Sequence, residues 1–512
     1  MTPRRRRVAI LGGGMAGVAT AWRLSEAGWE NELESITLYQ RGWRLGGKGA
    51  SSRGVHGRIE EHGLHIWLGY YENAFRLLRE CYAELDRPRT DPVAPIRMWR
   101  EALIPAPVVG LEELRGDTWT PWVGRFAAND ELPGEAEASG GVMTVAEFVT
   151  RAIRLLGDFV GSLQFDRSCT GREVTLTGSP VAPGRQRSAA SLATIATDPR
   201  MRRSWHLVSV VLATMRGIVA DGLLTDPRGF RKINDEDYRA WIRRHGASAE
   251  AVDSTLVRGL YDLVFAHIDG DPHRSSFGAG WGVFLSGKTF FDYKGSIFWK
   301  MTAGMGDVVF APLYEALRRR GVEFEFFHRV DELHVAADCA RIGAVTLGVQ
   351  AQLAPGYERY EPLVRVKGLP CFPDAPLGDQ LVLPDSVDGR SFESHSALRH
   401  DVGQRVLRAG DDFDALVFAI PVGMAKVVCS ELIADQPAWR DMVDNVRTVA
   451  TQAVQLWLRE DEPTLGWDRP GVTMTGFVKP LDTWASMPQV IDAEDWPADE
   501  QPRTIAYFCG TM

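Results

Sequence analysis

The chain has 512 residues, of which 45% are hydrophobic and 24% are charged, and its formal net charge is −9. This composition is typical of a soluble globular protein, and the length allows more than one domain. The negative charge argues against nucleic acid as a partner, because phosphate binding needs a basic face. The six cysteines include no C-x-x-C pair, so we expect neither a metal site nor a disulfide framework, and a cytoplasmic location.

The first predicted element is a buried strand over residues 8–11, which leads into a turn rich in glycine. Gly12, Gly14 and Gly17 have the spacing G-x-G-x-x-G, and the residues after them predict a helix. In such a turn the first glycine permits a tight bend, the second lets a pyrophosphate approach the backbone, and the third allows close helix packing. The free N–H groups at the helix N-terminus then face the phosphates. The candidate cofactor-binding residues of this turn are Gly12, Gly14, Met15, Ala16 and Gly17.

The second predicted strand covers residues 36–39 and is followed by Gln40. Dinucleotide sites usually have Asp or Glu near this position, where the carboxylate binds the ribose hydroxyls. The side-chain oxygen of Gln40 can accept one ribose hydrogen bond, but it carries no charge. Taken alone, this position leaves NAD and FAD both open.

Two further patterns follow the glycine turn in order. Residues 44–48 (RLGGK) fit the pattern R-x-G-G-R/K, and residues 61–65 (EHGLH) fit the pattern E-x-G-x-H. Together with the glycine turn, they resemble the FAD-binding N-terminus of the flavin amine oxidase and carotenoid desaturase superfamily. The stretch EEHGLHIWLGYYENAFRLL is most similar to the desaturase branch, which includes phytoene and zeta-carotene desaturases.

This resemblance implies FAD as the cofactor. It places the pyrophosphate and ribityl chain along Arg44 and residues 46–48, and the flavin ring near residues 63–65. A second pair of glycines also allows another close approach of the backbone to a long cofactor. The candidate cofactor-binding residues of this region are Gln40, Arg41, Arg44, Gly46, Gly47, Lys48, Gly63, Leu64 and His65.

The next part of the chain predicts the end of one domain and the start of another. An amphipathic helix over residues 73–85 completes the first part of the FAD-binding domain, residues 1–85. Residues 86–300 are expected to form a largely helical substrate domain that begins irregularly over residues 86–140. It includes a helix over residues 144–165 and a surface loop over residues 175–187. Residues 207–224 are strongly apolar, and they predict a buried helix or, as the alternative, a peripheral membrane contact.

The chain is then expected to return to the FAD-binding domain over residues 301–335 and 405–430, with a β-rich insertion over residues 336–404. A predicted helix and strand before Val330 resemble the adenine-side segment of the superfamily, in which backbone groups at such a valine meet the adenine. Residues 431–512 are expected to contribute a substrate-domain sheet. Because no glycine-rich strand–turn–helix follows residue 421, we expect the chain to be truncated before the last FAD segment.

The predicted fold class is α/β, with a Rossmann-like FAD-binding domain and an inserted mixed α+β substrate domain. The resemblance implies FAD-dependent desaturation or isomerisation of an apolar polyene or terpenoid. In that chemistry the flavin takes a hydride, so the pattern identifies no catalytic side chain. One alternative is an amine or amino-acid oxidase, for which Lys294 and Lys300 are the candidate lysines. Another is a catalytically silent dinucleotide-binding protein, which the neutral Gln40 favours.

Overall fold

The computed structural model of the chain describes residues 4–135, 144–147, 149–151, 174–176, 199–338, 341–383, 389–394, 401–469 and 471–512. Most of the predicted helix over residues 144–165 and of the predicted loop over residues 175–187 lies outside these ranges. The strands are β1 (Arg6–Leu11), β2 (Leu33–Tyr39), β3 (Ser51–Arg53), β4 (Ile59–Glu61), β5 (Trp67–Leu68), β6 (Leu103–Ala106), β7 (Val108–Arg115), β8 (Thr118–Phe126), β9 (Val174–Leu176), β10 (Phe298–Met301), β11 (Glu323–Glu325), β12 (His328–Val335), β13 (Ile342–Val349), β14 (Gln352–Leu353), β15 (Val364–Val366), β16 (Leu369–Cys371), β17 (Leu381–Val382), β18 (Gly403–Arg408), β19 (Ala415–Phe418), β20 (Thr451–Leu458), β21 (Thr473–Thr475), β22 (Thr483–Ser486) and β23 (Thr504–Thr511). The α-helices are α1 (Met15–Leu24), α2 (Glu72–Leu85), α3 (Arg87–Thr90), α4 (Trp99–Ala102), α5 (Pro199–Ala220), α6 (Tyr238–Arg244), α7 (Ala249–Val252), α8 (Thr255–Leu263), α9 (Ala279–Phe291), α10 (Ala311–Arg319), α11 (Ala425–Val428), α12 (Ser430–Asp435) and α13 (Pro437–Asn445).

A four-stranded parallel sheet carries the predicted glycine turn. Its strand order is β11–β2–β1–β19, and all neighbouring strands are parallel. The continuous apolar run at residues 8–11 of β1 is buried, as expected for a strand that is covered on both faces. α1 follows the turn and packs Val18 and Trp22 into the core. The strand–turn–helix and the α/β class predicted from the sequence are therefore confirmed.

A second, antiparallel sheet starts beside the end of β2. Its order is β12–β13–β18, and β13 belongs to the predicted β-rich insertion. The N–H of Phe327 donates to Gly42 O, and the N–H of His328 donates to Gln40 O, each at 3.0 Å. The strand that carries Val330 therefore begins next to Gln40, and the adenine contact at Val330 stays a prediction.

The largest sheet has seven strands, in the order β20–β23–β22–β21–β7–β8–β9. It combines strands from the predicted substrate domain with strands from residues 451–511. The expectation that the chain is irregular over residues 86–140 is wrong for residues 108–126, because β7 and β8 form a hairpin there. The inward positions of β7 include Gly110 and Glu112, which are not apolar, so the alternation of an ordinary strand is absent.

Helices α5, α6, α8 and α9 enclose a separate core around Trp241 and Tyr261, both fully buried. Helix α5 contains most of the apolar stretch predicted at residues 207–224. It is only half buried, because Leu212 and Val219 are exposed. None of the helices in the described part of the chain has the length and apolarity that crossing a bilayer requires. The peripheral membrane contact and the domain boundaries stay predictions.

Candidate dinucleotide site and adjoining pocket

The fold requires glycine at two of the three positions in the first turn, and the third position faces open space. Gly12 has a φ of +108°, and a Cβ at Gly17 would lie 1.9 Å from Gly12 O. Backbone conformation and helix packing therefore require glycine at these two positions. Gly14 has a φ of −74°, and a Cβ there would meet no atom closer than Gly46 O at 3.9 Å. The space in front of Gly14 is therefore open and leaves room for a ligand.

The second glycine pair lies directly against this turn. The N–H of Gly46 donates to Gly13 O at 2.9 Å, and a Cβ at Gly47 would lie 3.3 Å from the Cα of Gly14. No side chain caps the N-terminus of α1 among the described residues. The first-turn N–H groups, which include those of Met15 and Ala16, have no partner inside the helix. Two glycine turns and a positive helix end thus lie together, and this arrangement could hold a phosphate.

Arg44 offers a buried cation with one unused nitrogen. Its Nε and Nη2 donate to the two carboxylate oxygens of Glu393 at 2.9 and 2.6 Å, and Nη2 lies 2.9 Å from the Nε2 of His62. Burial and the nearby Arg44 charge lower the pKa of His62, so the neutral ring accepts this bond. Nη1 is buried without a partner among the described residues. An unpaired buried donor is costly, and a pyrophosphate oxygen would satisfy it.

Gln40 has a structural role that the sequence does not reveal. Its Oε1 accepts the N–H of Gly13 at 2.7 Å, and its Nε2 donates to Arg41 O at 2.6 Å. The amide thus joins the end of β2 to the glycine turn, and its ribose contact stays a prediction.

The other two predicted contact residues near this turn are Arg41 and Val330. Arg41 is half-buried, and burial lowers the pKa of its guanidinium. The side chain of Val330 packs in the same cluster as Tyr39.

His65 connects the backbone beside the second glycine pair to a neighbouring pocket. Its Nδ1 is 2.6 Å from Glu61 Oε2, and its Nε2 is 3.1 Å from Lys48 O. Burial disfavours the imidazolium, but the charge and hydrogen bond of Glu61 raise the pKa of His65. The other carboxylate oxygen of Glu61 accepts the N–H of Met305 at 2.9 Å. The predicted flavin-ring loop is therefore held by an ion pair.

The pocket has an empty volume of about 330 Å³, part of it open to solvent. Its lining residues are Glu61, Gly63, Leu64, His65, Ile66, Lys300, Met301, Thr473, Ala485, Met487 and Gln489. Lys300 donates to Ser486 O at 2.7 Å, and burial lowers its pKa to about 8. Lys294 pairs with Glu72 at 3.1 Å and does not line the pocket. Of the two lysines that the sequence suggests, Lys300 alone has the position for chemistry here.

Several residues of the site are not predicted from the sequence. Glu393 lies 349 residues after Arg44, and no local pattern marks it as a partner. Thr473 lines the pocket from strand β21, and Met487 lines it from the residue directly after strand β22. Their positions depend on long-range strand pairing, which periodicity does not reveal. The E-x-G-x-H pattern does contain the Glu61–His65 pair, although it does not identify the ion pair itself.

The N-terminal region of the chain matches a known domain family. Residues 10–81 match the family described as NAD(P)-binding Rossmann-like domain. They contain both glycine turns, Arg44 and His65. The N-terminal region is therefore a Rossmann-like dinucleotide-binding domain.

Curated relatives extend this result over the same region. The chain is 40% identical over 78 residues to the chloroplastic/chromoplastic zeta-carotene desaturase of Solanum lycopersicum. This match covers 15% of the present chain and 12% of that protein. The chain is 42% identical to the zeta-carotene desaturase of Synechocystis sp. and 40% identical to the 15-cis-phytoene desaturase of Synechococcus elongatus. Each match spans 78 residues and 15% of either chain. The predicted resemblance to the desaturase-like superfamily is confirmed over the N-terminal region.

Solved structures align over most of the chain at low similarity. An oxidoreductase from Methanosarcina mazei has a TM-score of 0.47 and 11% identity, and the alignment covers 98% of this chain and 78% of that one. Reduced UDP-galactopyranose mutase has a TM-score of 0.44 and 10% identity, with 99% and 74% covered. At this level of similarity, neither substrate nor activity transfers to the present chain.

Proposed function

We propose that the chain is an FAD-dependent oxidoreductase that acts on an apolar polyene or terpenoid. The observation that carries the proposal is the open space at Gly14, where the two glycine turns meet beside the uncapped N-terminus of α1. This arrangement fits a pyrophosphate. The N-terminal similarity to zeta-carotene and phytoene desaturases supports FAD and a polyene substrate. The chain aligns with only 12% of the length of the zeta-carotene desaturase of Solanum lycopersicum. The activity and the substrate of the present chain are therefore both part of the proposal.

Different residues would bind the pyrophosphate, the flavin ring and the substrate. The N-terminus of α1 and the turn at residues 46–47 would hold the pyrophosphate, with Arg44 as its cation. The loop at residues 63–65 would lie along the flavin ring. FAD supplies hydride acceptance when it is bound, and the protein supplies orientation and exclusion of water. The pocket walls at Leu64, Met301 and Met487 would face an apolar substrate.

The test is an absorbance spectrum of the purified chain between about 350 and 500 nm, followed by release and identification of the bound cofactor. The proposal predicts stoichiometric FAD, and bleaching of its spectrum when a polyene substrate is added without oxygen. No flavin after incubation with excess FAD would overturn the cofactor assignment. Bound FAD that no polyene, terpenoid or amine bleaches would favour the catalytically silent alternative.

A second candidate, an amine or amino-acid oxidase, is favoured by one observation. Lys300 lines the pocket beside the proposed flavin loop, and burial lowers its pKa to about 8. A buried amine of this kind suits proton transfer near neutral pH. The same bleaching experiment separates the two candidates, since an amine oxidase would respond to amines or amino acids and not to polyenes.

A further inference from the structure

The pocket lining includes a cation, Lys300, that has no carboxylate partner among the described residues. Lys300 lies on β10, the central strand of the antiparallel sheet β5–β10–β6. An ammonium has three donors, and Nζ uses one of them on Ser486 O at 2.7 Å. Among the described residues, no ion pair involves Lys300. Two donors therefore remain for another acceptor.

The other charges of the lining do not neutralise Lys300. Glu61 and His65 form their own ion pair at 2.6 Å, and Glu61 also accepts the N–H of Met305. Thr473 and Gln489 are uncharged, and the remaining walls are mostly apolar. Outside the lining, Glu462 acts on Lys300 only through space. The lining thus has one excess positive charge in an apolar setting, where an unpaired charge is unfavourable.

We infer that Lys300 binds an oxygen anion at one end of an otherwise apolar ligand, so that the substrate is a polyene or terpenoid carboxylate. This inference rests on the proposed function only in taking the pocket as the substrate site. A plain hydrocarbon would bury the ammonium without a partner, whereas a carboxylate would form charge-assisted hydrogen bonds with it. Lys294 offers no competing site, because Glu72 already pairs with it.

The test is calorimetric titration of the full chain with geranate, a ten-carbon terpenoid carboxylate, and with methyl geranate, its uncharged ester. We expect the wild type to prefer geranate by about tenfold or more, the effect of a charge-assisted bond. Lys300→Met should remove the preference and leave methyl geranate binding unchanged. Lys300→Arg should restore part of it, and Lys294→Met, the matched control, should retain all of it.

The preference should also depend on pH in a defined direction. Geranate affinity should fall between about pH 7 and pH 9 as Lys300 loses its proton. Because His65 also titrates in this pocket beside Glu61, the His65→Gln variant is measured in parallel and should keep the fall. The Lys300→Met variant should lose it. The Glu462 carboxylate, outside the lining, raises the pKa of Lys300 through space. We therefore expect it to shift the pH at which geranate affinity falls, but not to abolish the fall.

Equal wild-type affinities for geranate and methyl geranate would overturn the inference, as would a Lys300→Met variant that keeps the preference. Wild type that binds neither ligand would overturn it too. If Lys300→Met fails to fold, the wild-type comparison and Lys300→Arg still decide. Calorimetry needs no flavin turnover, so a geranate preference without bound FAD would contradict the proposed function and leave the Lys300 assignment standing.

Discussion

The guanidinium of Arg44 holds both carboxylate oxygens of Glu393, with Nε 2.9 Å from Oε1 and Nη2 2.6 Å from Oε2. The two residues lie 349 positions apart in the chain, yet their contact fixes the fork in one orientation. This orientation leaves Nη1 as the nitrogen without a partner among the described residues. Glu393 thus acts as a positioning residue for the proposed phosphate contact.

Arg44→Lys should weaken FAD binding while keeping the positive charge. Lysine lacks the planar fork, so it cannot bind Glu393 through two nitrogens and present a third. We expect FAD affinity to fall about 10- to 100-fold, the range for one hydrogen bond to a charged group. Fluorescence titration of the refolded apoprotein measures this. The control is Arg365→Lys, at an exposed pair with Asp91, and equal affinity in the two variants would contradict the role of Arg44.

Gln40→Leu should destabilise the fold whether or not FAD is present. The substitution leaves the buried N–H of Gly13 without its acceptor at 2.7 Å. We expect a loss of about 1–3 kcal/mol in the free energy of unfolding, measured by urea denaturation. Gln404→Leu, at an exposed glutamine on β18, is the control and should change stability far less. Equal stabilities for the two variants would show that the Gln40–Gly13 bond contributes nothing.

His65 should make the protein less stable as the pH rises. Its pKa is raised in the folded state, so folding favours the protonated ring. The stabilisation is complete below the unfolded pKa of about 6.5 and is lost as the pH rises through the folded pKa. His65→Gln should therefore flatten the decline in unfolding free energy between about pH 6 and pH 8. His56→Gln, at an exposed histidine, should leave the decline in place, and an unchanged slope in His65→Gln would contradict the ion-pair account.

The local part of the site is predictable from the sequence. The glycine spacing, the apolar runs of β1 and β2 and the helix after them depend on neighbouring residues, so periodicity identifies them. The structure brings residues 12–17 and 46–48 together as the motifs imply, and it starts the Val330 strand beside Gln40. Cofactor contacts at these residues stay predictions.

The long-range part is not predictable in the same way. The hairpin of β7 and β8 is not predicted from the sequence, because Gly110 and Glu112, which are not apolar, occupy inward positions. The partner of Arg44 and the pocket around Lys300 depend on pairing between distant segments, for which a single sequence has no local signal. Gln40 shows a third limit, since its amide bonds to the glycine turn at a position where the motif suggests a ribose contact.

The central claim, that the open space at Gly14 receives a dinucleotide phosphate, is tested by comparing Gly14→Ala with Gly17→Ala. A Cβ at Gly17 would lie 1.9 Å from Gly12 O, so this variant should lose about 1–3 kcal/mol of stability. A Cβ at Gly14 meets nothing closer than 3.9 Å, so this variant should fold with a stability within about 1 kcal/mol of the wild type.

The decisive measurement is therefore the FAD content of purified wild type and Gly14→Ala, with the free energy of unfolding measured on the same samples. We predict stoichiometric FAD in the wild type, and a Gly14→Ala protein that is equally stable without FAD but retains little of the cofactor. A Gly14→Ala protein that binds FAD as tightly as the wild type would contradict the account, because the phosphate would then lie elsewhere.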